Sequence, residues 1–173
     1  MIILSLGSNL SSKFGDRFYN LKHAIHMLEK QGIVIEKKSS FYETPSYPDQ
    51  SNPKFINIVV AVNTNLSLKD LITILIFVEE NLERKRNNKN DPRTCDIDII
   101  DFNDKILSLK YKNSYFEVPH KNLATRNFVL FPLQEILPNW KHPKTKEFIG
   151  TLIQKLSAEH RKAILKIKKN WYN

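Results

Sequence analysis

Only one cysteine, Cys95, occurs in the 173 residues. It has no partner for an intramolecular disulfide, which fits a reducing compartment. Glycine is scarce too, at four residues. The glycine-spaced aromatic signature of sheet-based RNA readers, K/R-G-F/Y-G/A-F-V, is absent. No apolar run approaches the ~20 residues a membrane-spanning helix needs. Leu71 to Val78, interrupted only by Thr73, is among the longest. The first residues show no basic lead of a secretory signal, because Met1-Ile2-Ile3-Leu4 runs straight into Gly7-Ser8-Asn9. Acidic residues are outnumbered, giving a net charge of +9. With 21 lysines against 6 arginines, that excess reads as compositional drift rather than a nucleic-acid surface. Repeats, low-complexity tracts and linkers are missing as well, so residues 1–173 are expected to form a single domain with a real core.

What is present centres on Asp91-Pro92-Arg93-Thr94-Cys95-Asp96-Ile97-Asp98-Ile99-Ile100-Asp101-Phe102. Its second half reads as a strand, bounded by Pro92 and by the turn pair Asn103-Asp104. Residues two apart on a strand share a face, so Asp96 and Asp98 project together while Ile97 and Ile99 enter a core. Paired carboxylates on a partly buried face need a cation, and oxygen ligands of this kind suit Mg²⁺ with phosphate completing its shell. Removing either carboxylate is expected to relieve repulsion and leave the fold intact. Arg84, Lys85, Arg86, Lys89 and Arg93 crowd the segment just upstream. A phosphate-transfer site is the leading reading. The bland alternative is a solvated edge-strand face.

The flanking pattern supplies a fold. Ile2 to Leu6 reads as a buried strand. Asp16 caps a helix carrying Phe18, Leu21, Ile25 and Leu28 at helical spacing, and Gly32 ends it. Ile33 to Tyr42 reads as a second strand. Glu43 to Phe55 contains Pro45, Pro48 and Pro53, so it is a long loop, and its aromatics Tyr47 and Phe55 mark it as functional. Ile56 to Val62 is a third strand. Ser67 and Asp70 open a helix with Leu68, Leu71, Leu75, Val78 and Leu82 on one stripe. The acidic strand then completes strand, helix, strand, strand, helix, strand. That order predicts an α+β, ferredoxin-like βαββαβ core, an antiparallel sheet with two helices on one face. Beyond it are expected a hairpin through Lys105 to Val118, a short helix after Pro119-His120, and extra C-terminal elements. Arg161 to Lys169 reads as a solvated helix face.

Several blocks resemble, in order, those of the 6-hydroxymethyl-7,8-dihydropterin pyrophosphokinase (HPPK) family of folate biosynthesis. They are Gly7-Ser8-Asn9-Leu10, Ser40-Phe41-Tyr42-Glu43-Thr44-Pro45, Phe55-Ile56-Asn57, Glu79 with Arg84 and Arg86, Pro92-Arg93-Thr94-Cys95-Asp96-Ile97-Asp98, Val118-Pro119-His120, and Arg126-Asn127-Phe128-Val129-Leu130-Phe131-Pro132-Leu133. Together they cover about residues 1–138. Residues 139–173 match poorly and receive no role. The chain also departs from the pattern: Asn90-Asp91 stand where the family has Gly before Pro-Arg, and Lys121-Asn122 follow His120.

The resemblance implies transfer of pyrophosphate from ATP to the hydroxymethyl group of a reduced pterin, leaving AMP and the pterin diphosphate. It implies Arg84, Arg93, Asp96 and Asp98 as catalytic residues, with Asp96 and Asp98 holding two Mg²⁺ ions. Glu79, Arg84, Arg93, Ile99, His120 and Arg126 would serve ATP. Thr44, Pro45, Tyr47, Phe55, Asn57 and Phe128 would hold the pterin, whose flat ring wants aromatic faces and whose amide edge wants paired donors and acceptors. Phe128 could instead be core packing. The expected partners are small molecules, without nucleic acid or membrane, for a monomeric, cytoplasmic enzyme. An RNA-binding ferredoxin-like module and a Mg²⁺-dependent nuclease are the rival classes.

Overall fold

The computed structural model describes residues 1–84, 91–112, 114–169 and 171. Lys85, Arg86, Lys89 and Asn90 of the basic loop lie outside the described residues. The apolar run at the N-terminus becomes β1 (Ile2–Ser8), buried along its whole length. It sits between β4 (Phe55–Asn63) and β5 (Asp96–Phe102), antiparallel to both. Two further strands, β2 (Val34–Lys38) and β3 (Phe41–Thr44), pair with opposite ends of β4. This arrangement, β5-β1-β4 and then β2 and β3, is the expected ferredoxin-like sheet.

Both capped helices form where their signals lie. In α1 (Arg17–Lys30), Asp16 accepts from the Tyr19 backbone N–H at 2.8 Å, and Gly32, at φ 77°, turns the chain out. In α2 (Leu68–Asn81), the Ser67 hydroxyl accepts from the Asp70 N–H at 3.2 Å. Their apolar stripes, including Leu21, Leu28, Leu71 and Val78, pack with Leu4, Leu6, Ile97 and Ile99 from one face of the sheet.

Two expectations need correction and one is extended. The two core helices share one face as expected, and the C-terminal elements are placed on the other only by the structure, where α3 (Asn127–Ile136) and α4 (Ile149–Lys155) cover it. There Val129, Leu130, Leu133 and Leu152 pack with Ile3, Val59 and Ala61. That is why β1 and β4 are near-continuous apolar runs rather than alternating ones. The single strand from Ile33 to Tyr42 is two strands, because Ser39 interrupts it. The Ser39 hydroxyl accepts from the Val59 N–H at 3.0 Å, a bond that lets the edge bend between β2 and β3.

The tail from Arg161 to Lys169 is not a helix face either. A short helix, α5 (Ala158–Lys162), ends there, and β8 (Leu165–Ile167) pairs antiparallel with β3. Only Leu165 and Ile167 alternate with lysine, a period-two signal too short to outweigh the basic run. The chain is pinned beyond β8 by Trp171, which packs on Phe41 with ring centroids 4.5 Å apart and donates Nε1–H to the Ser39 carbonyl at 3.0 Å. The expected hairpin is present as β6 (Leu107–Tyr111) and β7 (Ser114–Val118), a separate two-stranded sheet.

One irregularity shapes β5. Its partners on β1 run Leu4 with Ile99, then Ile3 with Asp101, so Ile100 is an extra residue in a β-bulge. Ile100 packs into the α3–α4 layer, and Asp101 accepts from Trp140 Nε1 at 2.9 Å on that side.

Candidate active site

The strand alternation of β5 puts Asp96 and Asp98 on one side, away from the Ile97 and Ile99 core. Each carboxylate is neutralised by arginine. Asp96 Oδ1 lies 2.6 Å from Arg84 Nη1, and Asp96 Oδ2 lies 3.1 Å from Arg93 Nε, an ion pair without hydrogen-bond alignment. Asp98 Oδ2 accepts from Arg126 Nη1 at 2.7 Å. Burial opposes ionisation of Asp96, but the Arg84 and Arg93 guanidiniums outweigh it and hold its carboxyl below the usual carboxylate range. The repulsion expected between the two acids is thus already compensated.

Glu79 supports this pair from below. It is buried on α2, accepts the Ile97 N–H at 2.7 Å and pairs with Arg84. Burial alone would lower the Arg84 pKa, but Asp96 and Glu79 beside it raise it, so the guanidinium stays charged. Glu79 therefore positions Arg84 and β5 and does not line the cleft. Ile99 likewise points into the core and offers a ligand only its backbone.

On the sheet side of the acids lies a cavity of about 540 Å³, inside the ~300–1,000 Å³ range of small-molecule sites. Thr44, Pro45, Tyr47, Phe55, Asn57, Arg93, Asp96, Asp98, Arg126 and Phe128 all line it. Arg84 faces a separate opening with Glu80, Glu83 and Thr94, and His120 lies outside the cavity lining. Within the cavity, Asn57 donates Nδ2–H to Thr44 Oγ1 at 3.0 Å, leaving its carbonyl oxygen as an acceptor. That oxygen passes close to Gly7: a Cβ there would sit 2.9 Å from it. The Arg93 guanidinium lies over the Phe55 ring at 5.3 Å and Arg126 over Phe128 at 5.4 Å. Phe128 packs on the α3–α4 layer and also faces the cavity, so the core-packing reading describes only part of its role.

His120 accepts the Asn122 N–H through Nδ1 at 3.1 Å, which leaves Nε2 as a donor. Burial lowers its pKa, against the opposing pull of Asp98, so it favours the neutral form.

Sequence reasoning gave no individual role to the residues that brace the loops. Asn9, buried, accepts the Arg93 N–H at 2.7 Å and donates to the Pro53 carbonyl at 3.0 Å and to Ser46 at 3.3 Å. Asn20, fully buried on α1, donates to the Leu10 and Thr94 carbonyls at 2.9 and 3.2 Å. Their signal was an amide inside an otherwise apolar or turn-forming stretch. Ser5, Gly7, Asn127 and His160 also line the cavity without having been expected there.

The site fits Mg²⁺. It offers two strand-borne carboxylates facing a polar opening, and among the described residues no three acidic, histidine or cysteine side chains converge to make a closed cage. An ion there would take most of its shell from water and phosphate, as Mg²⁺ does.

A ferredoxin-like sheet that presents an acid pair and arginines at the end of a small-molecule cleft suits the chemistry of phosphate-group transfer. The model of the 7,8-dihydro-6-hydroxymethylpterin-pyrophosphokinase (HPPK) family matches residues 3–138, and the chain belongs to that family. It is 36% identical over 142 residues to the 2-amino-4-hydroxy-6-hydroxymethyldihydropteridine pyrophosphokinase of Aquifex aeolicus, covering 82% of this chain and 83% of that one. It is 34% identical over 158 residues to the Synechocystis protein of the same name, covering 90% and 76%. Against the "Folic acid synthesis protein FOL1" of Dictyostelium discoideum the identity is 36% over 83% of this chain, which spans only 20% of that protein. Among solved structures, a Plasmodium falciparum HPPK-DHPS matches in fold with a TM-score of 0.73 at 18% identity, over 96% of this chain and 47% of that one.

Proposed function

We propose that the chain transfers the β,γ-pyrophosphoryl group of ATP to the hydroxymethyl group of 6-hydroxymethyl-7,8-dihydropterin, as a single domain acting on small molecules. The observation that carries this reading is one continuous cavity joining ring-recognising groups, Phe55, Phe128, Thr44 and Asn57, to the Asp96–Asp98 pair. The acceptor oxygen attacks the β-phosphorus, the bond between the α,β-bridging oxygen and the β-phosphorus breaks, AMP leaves, and the hydroxyl proton passes to solvent. Such transfers need positioning and charge neutralisation more than a covalent nucleophile.

Asp96 and Asp98 would hold two Mg²⁺ ions, which when bound supply charge neutralisation and acidify the attacking hydroxyl. Arg84, Arg93 and Arg126, which pair with the acids here, would serve the phosphates, with His120 donating from Nε2. Pro45 and Tyr47 would close over the ring from the loop 45–54. The family assignment displaces the RNA-binding and nuclease readings. Among the described residues no helix is long and apolar enough to cross a membrane.

Incubation with ATP, Mg²⁺ and the reduced pterin should yield AMP and the pterin diphosphate. Accumulation of ADP in place of AMP would overturn the pyrophosphoryl assignment.

A further inference from the structure

We infer that His160, on α5 and beyond the residues the family model matches, is a substrate-contacting residue of the pterin end of the cleft. The inference rests on the function proposed above. His160 lines the same cavity as Phe128, Asn57 and Thr44, while Arg84 and His120, assigned to ATP, do not line it. Arg93 and Arg126, also assigned to ATP, do line it, so the acceptor end is singled out by the bond that ties His160 to Asn127, next to Phe128.

Its position is built. The His160 N–H donates to Ser157 Oγ at 3.1 Å, closing the first turn of α5. The His160 carbonyl accepts from Asn127 Nδ2 at 2.7 Å, fixing α5 to the start of α3 beside Phe128. Downstream, β8 pairs with β3, which ends at Thr44. The C-terminal segment thus ties both walls of the acceptor end together and puts one imidazole between them. All of these bonds use His160's backbone. The side chain is exposed and makes no hydrogen bond to a described residue. A neutral imidazole offers one donor and one acceptor. The edge of a reduced pterin presents both kinds of partner, and Asn57 has already spent one donor on Thr44.

The test compares wild type, His160→Ala and His160→Gln by steady-state kinetics and by equilibrium binding of 6-hydroxymethyl-7,8-dihydropterin. His160→Ala should raise both KM and Kd for the pterin about three- to tenfold, the worth of one hydrogen bond. KM for ATP should stay within about twofold and the melting temperature unchanged, since the removed side chain is exposed and makes no hydrogen bond to a described residue. His160→Gln should recover part of the loss. An unchanged pterin Kd in His160→Ala, or equal rises in both KM values, would overturn the assignment. The binding measurement needs no turnover. A wild type that binds pterin but forms no AMP would sink the proposed function while the Kd comparison still decides His160. A wild type that binds no pterin would sink both.

Discussion

Asn9 and Arg93 are 84 positions apart and hold each other by two bonds in opposite directions. The Arg93 N–H donates to the Asn9 side-chain oxygen at 2.7 Å, and the Asn9 N–H donates to the Arg93 carbonyl at 3.0 Å. The same Asn9 amide donates to Pro53 and Ser46 in the proline-rich loop. One buried side chain therefore sets the spacing between the loop that carries an active-site arginine and the loop that covers the acceptor.

Asn9→Ala should cut kcat/KM by at least about tenfold while Arg93 itself remains. Loss of a buried, fully used amide should also cost about 1–3 kcal/mol of stability. AMP formation and urea unfolding of the same preparation read the two effects.

Gly7→Ala should act on one substrate only. The added methyl meets the Asn57 carbonyl oxygen at 2.9 Å, and the short Asn57 side chain is held by Thr44. The pterin KM should rise several-fold with the ATP KM near wild type. Equal KM values for wild type and variant would mean that Asn57 does not face the ring.

The acid pair should separate into two stability classes. Asp96→Ala strips the nearly buried Arg84 and the half-buried Arg93 of a carboxylate and should cost about 1–3 kcal/mol. Asp98→Ala loses a more exposed partner of Arg126, worth at most about 1 kcal/mol. Both should lower kcat by about 100-fold or more at saturating Mg²⁺. Melting curves without metal test the first point, and turnover tests the second. The relief of repulsion expected from the sequence gives way here, because the arginines already supply it.

Stability should fall on mild acidification through His142. Burial lowers its pKa below 6.5, although Glu147 and Asp101 pull the other way. A base with a lowered folded pKa binds fewer protons folded than unfolded. Its contribution is therefore complete above about pH 6.5 and is lost as pH falls through the folded value. Wild type should lose more melting temperature than His142→Asn between about pH 7.5 and 5.5.

Hydrogen exchange should split the proline-rich loop. The tip, where Tyr47 is 83% exposed, should gain protection when ATP and pterin bind. The base, where Thr44 and Phe55 pair in the β3–β4 ladder, should be protected with or without ligand. Equal protection of the tip in both states would remove it as a lid.

The acidic strand and the capped helices were legible because each rests on local chemistry, and most of the cleft lining because its motifs resemble the family's. Period two placed Asp96 and Asp98, and Asp16 and Ser67 marked where helices begin. What escaped is non-local. Nothing near Glu79 shows that it accepts the Ile97 N–H from another element and pairs with Arg84. Leu165 and Ile167 become a strand only because β3 offers an edge, and His160 reaches the cleft only because that pairing carries it there. Ser39 looks like any polar strand residue until its hydroxyl meets Val59.

The bulge at Ile100 has a consequence for how this molecule tolerates change. Asp98 precedes the extra residue and Asp101 follows it, yet both face the α3–α4 side of the sheet. Losing Ile100 would restore plain alternation without turning Asp96 or Asp98 around. The strand thus carries one link of slack between its chemistry and the hairpin beyond. Deleting Ile100 should therefore leave Asp96 and Asp98 on the cleft side and cost the packing of one buried side chain in the α3–α4 layer.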